Sequence, residues 1–247
     1  MSGVWEQIST IVLAVFIAFS IRTVVVEPFR IPSGSMFPTL LIGDHLFVNK
    51  FVYGARVPFT DFRLPGLRDP ERGEVVVFTV AQSGRDTFPA DERPDLPREE
   101  FVKRIVGLPG ERIEVRDAVV LVDGHPIDST QSGESFIDDK GHELDVYDVT
   151  LPDRHFRTLD DPRRGGPPPA VFDVPPGRYF VLGDNRDHSK DSRSWGTVRR
   201  QEIRGPVFVL YWSWAWDGAW LELANPLTWW DLMTQRMRWD RVGTRIE

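Results

Sequence analysis

Residues Glu99 to Val115 read EEFVKRIVGLPGERIEV. Phe101, Lys103 and Ile105 alternate with Val102 and Arg104. Ile113 and Val115 alternate beyond Leu108-Pro109-Gly110. A period of two marks a strand with one covered face, and Pro-Gly reverses the chain. The stretch therefore predicts strand, tight turn, strand. It puts Phe101, Lys103 and Ile105 on one face and Arg104 on the other.

The pattern recurs outward in both directions. Arg72–Val80 (RGEVVVFTV), Asp44–Val52 (DHLFVNKFV) and the short FRI at residues 29–31 read as strands upstream. Downstream, AVVLVDGHPI reads as a hairpin turning at Asp123-Gly124. RYFVLGDN and GPVFVLYWSW supply two more strands. Short strands predominate, so the body is all-β with little helix. Ala81–Arg98 is polar and proline-bearing and reads as a loop. Gln131–Pro176 is acidic, then runs DPRRGGPPPAVFDVPP, a linker-like composition around a few strand residues.

The N-terminal segment differs from this body. Ile8–Ile21 carries no charge, and Val4–Val26 contains only Glu6 and Arg22. As a helix, the longer stretch spans about 34 Å, enough to cross a bilayer core. A retained transmembrane span is the expectation, over a cleaved signal ending near Ala18-Phe19-Ser20 or a buried soluble helix. A positively charged leader end is missing. The flank before the span has no Lys or Arg, so charge does not orient it.

Composition narrows the chemistry. The 247 residues carry a net charge of −7, against a general nucleic-acid binder. There is no cysteine, hence no disulfide, thiolate nucleophile or Cys-based zinc site. Only four of the 30 basic residues are lysines: Lys50, Lys103, Lys140 and Lys190. Arginine does not usefully lose its proton, so an amine base comes from these four or the N-terminus. Seven of nine tryptophans lie between Trp212 and Trp239. Trp212, Trp214 and Trp216 alternate on one strand face, which is either a packing face or an aromatic edge at a lipid interface.

Pro32–Leu40, PSGSMFPTL, raises the catalytic question. In an extended chain Ser33 and Ser35 present both hydroxyls to one side, with Gly34 admitting a neighbouring backbone. One hydroxyl attacks and the other steadies an oxyanion, provided a base lies close. Lys103, between Phe101 and Ile105, is desolvated by its neighbours, which lowers its pKa. Lys50, between Val48 and Val52, passes the same test, so pattern alone leaves both. His188 is conceivable in a Ser-His-Asp arrangement. Asp184, Asp187, His188 and Asp191 match no EF-hand or H-E-x-x-H metal pattern. An S-x-x-K motif fails at Pro38.

Three segments in order resemble the sequence boxes of type I signal peptidases: EPFRIPSGSMFPTLLIGDHLFVNKFVYG, RGEVVVF with FVKRIVGLPGE, and GDNRDHSKDSRSWGTV. YWSW and RWDRVG resemble that family's closing strands. The resemblance implies Ser35 as nucleophile, Lys103 as general base, and Ser33 with the Ser35 N–H as oxyanion hole. It implies Ser189 as the serine orienting the lysine, Asp191–Arg193 as a propping charged pair, and Asp184 and Arg186 as further support. His188 becomes incidental and Lys50 structural.

The implied substrates are secretory preproteins, cut after small residues at −1 and −3. Phe29, Ile31, Pro32, Met36, Leu40, Phe101 and Val102 would line the cleft. The bilayer is the other implied partner; no nucleic acid, metal or cofactor is called for. The expected fold is mainly β: a twisted antiparallel, barrel-like catalytic sheet (27–115 and 177–247) with a smaller β-rich cap (116–176), preceded by one transmembrane helix (1–26). The implied location is the bacterial cytoplasmic membrane, single-pass, with the catalytic part outside the cytoplasm. Two rivals remain: a maturation peptidase dedicated to one secretion or conjugation system, and a non-catalytic membrane-anchored peptide-binding domain.

Overall fold

The computed structural model describes residues 2–54, 63–116, 119–166, 168–215 and 226–246. Among these residues fifteen strands dominate. They are β1 (Val26–Arg30), β2 (Asp44–Asn49), β3 (Val75–Ser83), β4 (Asp86–Pro89), β5 (Arg98–Gly107), β6 (Arg112–Arg116), β7 (Val119–Val122) and β8 (His125–Pro126). After them come β9 (Asp128–Ile137), β10 (Glu143–Leu151), β11 (Arg154–Asp160), β12 (Ala170–Asp173), β13 (Arg178–Leu182), β14 (Val198–Arg199) and β15 (Ile203–Ser213). The helices are α1 (Ser2–Val24), the short α2 (Ser192–Trp195) and α3 (Pro226–Asp231).

The main sheet has eight strands in the order β1-β2-β15-β3-β5-β13-β14, with β4 paired to β3. Every pairing is antiparallel. The path starts at β1 and ends at β14 without rejoining, so the expected barrel is corrected to an open sheet. The sheet is held by its apolar faces. Val76, Phe78, Val80, Ile105, Val181 and Ile203 form one cluster. Leu40, Leu46, Val48, Val75, Val77 and Leu210 form another on the opposite face. β3 supplies both because its neighbours bury both its sides, which is why it reads as a continuous apolar run.

The Asp123-Gly124 turn forms as expected, with φ of 49° and 79° suiting a tight hairpin. Ala81–Arg98, read as a loop, holds a strand, and Gln131–Pro176, read as linker-like around a few strand residues, holds more strand than that. Ala81–Arg98 folds back as β4 on β3. Across residues 128–160, β9, β10 and β11 form a three-stranded sheet. Its buried face carries Leu144, Val146 and Leu159, which pack with Phe37, two residues beyond Ser35.

The segment expected to span a membrane does form helix α1, from Ser2 to Val24. Among the described residues, however, no helix is long and apolar enough to cross a membrane. The side chains of residues 16–24, which hold much of the apolar stretch, lie outside the description. Of the tryptophans expected to share a face, Trp212 and Trp214 meet edge to face at 5.9 Å, and Trp239 joins Trp212 at 6.3 Å. Trp216 lies outside the described residues.

Candidate active site

The loop after β1 turns at Gly34–Met36 in a single 3-10 turn. Ser33 precedes it in extended backbone, φ −141° and ψ 155°. The segment is therefore not the continuous extended chain expected, and the two hydroxyls are placed by a turn. Gly34 is needed for a different reason from the one expected. A Cβ there would lie 2.5 Å from the Phe37 ring, which packs under the cap sheet.

Lys103 reaches this turn from mid-β5. Its Nζ lies 2.7 Å from Ser35 Oγ and 3.0 Å from the Val102 carbonyl. The residue is 3% exposed, and its amine sits 5.6 Å from the centre of the Phe101 ring. Burial lowers its pKa from 10.5 to about 8, while the charges of Asp191 and Asp184 pull it partly back up. The neutral amine has a lone pair that accepts the Ser35 O–H; the ammonium donates to Ser35 Oγ instead. The other sequence candidates go elsewhere. Lys50 pairs with Glu27 at 3.7 Å. His188 Nε2 faces Asp161 Oδ2 at 3.2 Å.

The segment 183–193 braces the turn from behind. The Asn185 side-chain amide donates to the Gly34 carbonyl (3.0 Å), and its backbone N–H donates to the Ser35 carbonyl (3.2 Å). Gly183 leaves no room for a side chain: a Cβ would fall 2.2 Å from Ser189 Oγ and 2.5 Å from the Ser35 carbonyl oxygen. Ser189 Oγ is buried there and forms no hydrogen bond, to Lys103 or any other described residue.

Asp191 is fully buried. It accepts from the Gly183 N–H (3.0 Å) and takes two 2.8 Å bonds from Arg193. Its side chain also caps α2. The Arg193 guanidinium in turn donates to the Arg186 carbonyl. Burial pushes the Arg186 guanidinium down to about 10.

Asp184 is bound on both oxygens by Arg104, at 2.8 and 2.7 Å, and accepts from Thr39 at 2.5 Å. Arg104 is 1% exposed, donates also to the Gly73 carbonyl, and stacks 3.8 Å from the Phe156 ring centre. Sequence reasoning left Arg104, Asn185, Gly183 and Phe37 without roles. Arg104 carried a readable signal: Val102 and Val106 share its strand face, and an arginine on a covered face requires a carboxylate.

A cavity of about 630 Å³ opens in front of the serine–lysine pair. Phe29, Ile31, Pro32, Met36, Phe101 and Val102 line it with Ser33, Ser35 and Lys103. Leu40 is absent from this wall; it is fully buried beside Leu46 and Leu210. The cavity is bordered by two strand edges. Among the described residues, β1 pairs with β2 alone, and β5 meets β13 only over Arg104–Gly107, leaving that side of Arg98–Lys103 open.

The chain is similar to known proteins along most of its length. The model of the family described as signal peptidase, peptidase S26, matches residues 4–212. A signal peptidase I of Pseudomonas aeruginosa is 35% identical over 213 residues, covering 81% of this chain and 69% of that protein. One from Rickettsia canadensis is 31% identical over 247 residues, covering 92% and 82%. A crystal structure of a signal peptidase I from Enterococcus faecalis is 25% identical, with a TM-score of 0.31, covering 56% of this chain and 97% of that one. By the extent of the family match and these identities, the chain belongs to the signal peptidase family, peptidase S26.

Proposed function

We propose that the chain removes N-terminal signal peptides from exported preproteins, with Ser35 as nucleophile and Lys103 as general base. The observation that carries this is the 2.7 Å approach of a buried, easily deprotonated amine to a hydroxyl facing the cleft. Neutral Lys103 takes the Ser35 proton as Oγ attacks the scissile carbonyl. The Ser35 backbone N–H and the Ser33 hydroxyl receive the negative charge on the tetrahedral oxygen. Lys103, now an ammonium, returns the proton to the departing amine, leaving an acyl ester on Ser35. Water then gives a proton to Lys103 and attacks the ester, and Lys103 passes that proton to Ser35 Oγ as the C–O bond breaks, which restores the enzyme. Buried Ser189 is assigned to positioning the lysine as the amine changes charge. Asp184, Arg186, Asp191 and Arg193 hold the loop that carries it.

An extended peptide fits between the open edges of β1 and β5, adding a strand to the sheet. Its alternate side chains then face one wall. Phe29, Ile31, Met36 and Val102 make that wall apolar, which suits small groups at −1 and −3. Residues 27–115 and 177–247 form the catalytic unit in this reading, with 116–176 as its cap.

Attachment to the cytoplasmic membrane by α1 belongs to the same reading. Trp5, Ile8, Ile11, Val12, Leu13 and Val15 are all exposed on that helix, an arrangement that lipid covers and water does not favour. The catalytic part then works on the far side, where preproteins emerge.

Incubation of the detergent-solubilised chain with a preprotein, followed by N-terminal sequencing of the product, tests the activity. The expected result is a single cut after a small-x-small sequence, abolished in Ser35→Ala and Lys103→Ala. Lys103→Arg is expected to be nearly as inactive, since its guanidinium keeps its proton. Full turnover by a folded Lys103→Ala protein would reject the assignment.

A further inference from the structure

Beside the serine–lysine pair, three metal-capable side chains from two parts of the fold meet at the rim of the same cleft. Asp138 and His142 belong to the turn between β9 and β10. His188 ends the 3-10 turn Arg186–His188, just before Ser189. One donor atom from each lies within 4.8 Å of one from each of the others. The two imidazoles stack with centres 5.8 Å apart and planes 21° from parallel.

Each ring has one nitrogen committed to a carboxylate. His142 Nδ1 faces Asp138 Oδ2 at 3.0 Å, and His188 Nε2 faces Asp161 Oδ2 at 3.2 Å. Asp161 is itself held by two 2.8 Å bonds from Arg163. A carboxylate on one ring nitrogen fixes the tautomer and leaves a lone pair on the other. His188 Nδ1 is then a ready donor, and Asp138 Oδ2 and His142 Nδ1, 3.0 Å apart, already stand close to the separation of two ligands of one ion. Turn formation accounts for Asp138 Oδ1, which accepts from the Lys140 and His142 backbone N–H groups. It does not account for two neutral-capable imidazoles brought face to face from separate elements.

Two imidazoles and one carboxylate suit Zn²⁺ and neighbouring first-row cations better than Mg²⁺ or Ca²⁺. Tetrahedral bonds of about 2.0–2.1 Å set donors about 3.3 Å apart. Side-chain shifts of about 1 Å reach that spacing from the present one. We propose that Asp138, His142 and His188 bind a borderline divalent cation, with Zn²⁺ the best fit and water as a fourth ligand, and that occupancy slows peptide cleavage. Asp138 and His188 line the cavity that also holds Ser35 and Lys103. A cation there ties the cap turn to the Ser189 loop and narrows the entrance. The binding claim stands apart from the catalytic assignment; the inhibition claim rests on it.

Calorimetric titration of the detergent-solubilised full chain with ZnCl₂ tests the site, using wild type, Ser35→Ala, His142→Phe and His188→Phe. Phenylalanine keeps the ring stack and removes the nitrogens. The expected result is one Zn²⁺ per chain in wild type and Ser35→Ala, weakened at least about tenfold in each Phe variant. MgCl₂ should give no comparable binding. In a peptide-cleavage assay, Zn²⁺ at the binding concentration should inhibit wild type reversibly, with chelator restoring turnover. His142→Phe should match wild type in metal-free buffer and resist Zn²⁺. Equal Zn²⁺ affinity in wild type and both Phe variants, or no binding, overturns the site. Tight binding with unchanged turnover overturns the inhibitory role.

Discussion

Lys103 is the residue on which the proposed chemistry turns, and its burial has a cost that is measurable apart from catalysis. Its folded-state pKa is about 8, against 10.5 when solvated. Below pH 8 both folded and unfolded chains hold the proton, so the fold carries the full penalty of a buried charge. Between pH 8 and 10.5 the unfolded chain holds more protons than the folded one, and stability rises with pH. Lys103→Met removes the charge and roughly keeps the volume. It should therefore be inactive yet more stable than wild type at pH 7, by about 1–3 kcal/mol. The difference should shrink as the pH approaches 10.5. Chemical denaturation at pH 7 and pH 10 checks both statements, and a less stable Met variant at pH 7 would contradict them. The sequence left Lys50 and Lys103 level because both sit between apolar strand neighbours. What separates them is tertiary: Glu27 meets one and Ser35 the other.

At the scale of elements, β5 does two jobs with adjacent residues. Lys103 faces the cleft, and Arg104 faces inward to clamp Asp184 at the root of the Ser189 loop. Breaking a buried ion pair strands a charge. Arg104→Met should cost about 3–5 kcal/mol and lower turnover by misplacing Gly183 and Asn185. The double variant Arg104→Met/Asp184→Leu should recover much of the stability, because no charge is left unpaired. Thermal unfolding of the three proteins decides this; additive losses in the double variant would contradict it. The strand-turn-strand of 99–115 was legible because its period is unbroken. The individual strands of the β-rich segment 116–176 were less so. β9 is polar and mostly exposed. In β10 the buried residues run Leu144, Val146, then Val149, Leu151. A register shift between Asp145 and Tyr147 reverses the alternation midway, so no single period survives to be read.

Across the whole molecule, the site is assembled from residues 33–37, 101–104 and 183–193, brought together by an antiparallel sheet whose strand order departs from chain order. Local pattern supplied the strands, and the resemblance of three ordered boxes supplied the roles. Neither supplied Asn185 binding the Gly34 carbonyl, or Phe37 fastening the cap over the nucleophile turn, since those contacts exist only once the sheet is formed. The same body should work without α1. Removal of residues 2–24 should release the protein from membrane pellets while leaving cleavage of a soluble peptide measurable; retention in carbonate-washed membranes would contradict attachment through α1.

The most direct test of the central claim exploits the scarcity of lysine. Four ε-carbon signals are expected from ¹³C-labelled lysine, and Lys103→Met assigns one by its loss. The account requires that signal to titrate near pH 8 in the folded protein, matched by the rising limb of kcat/KM. A Lys103 midpoint near 10.5, the value of a solvated lysine, would contradict it.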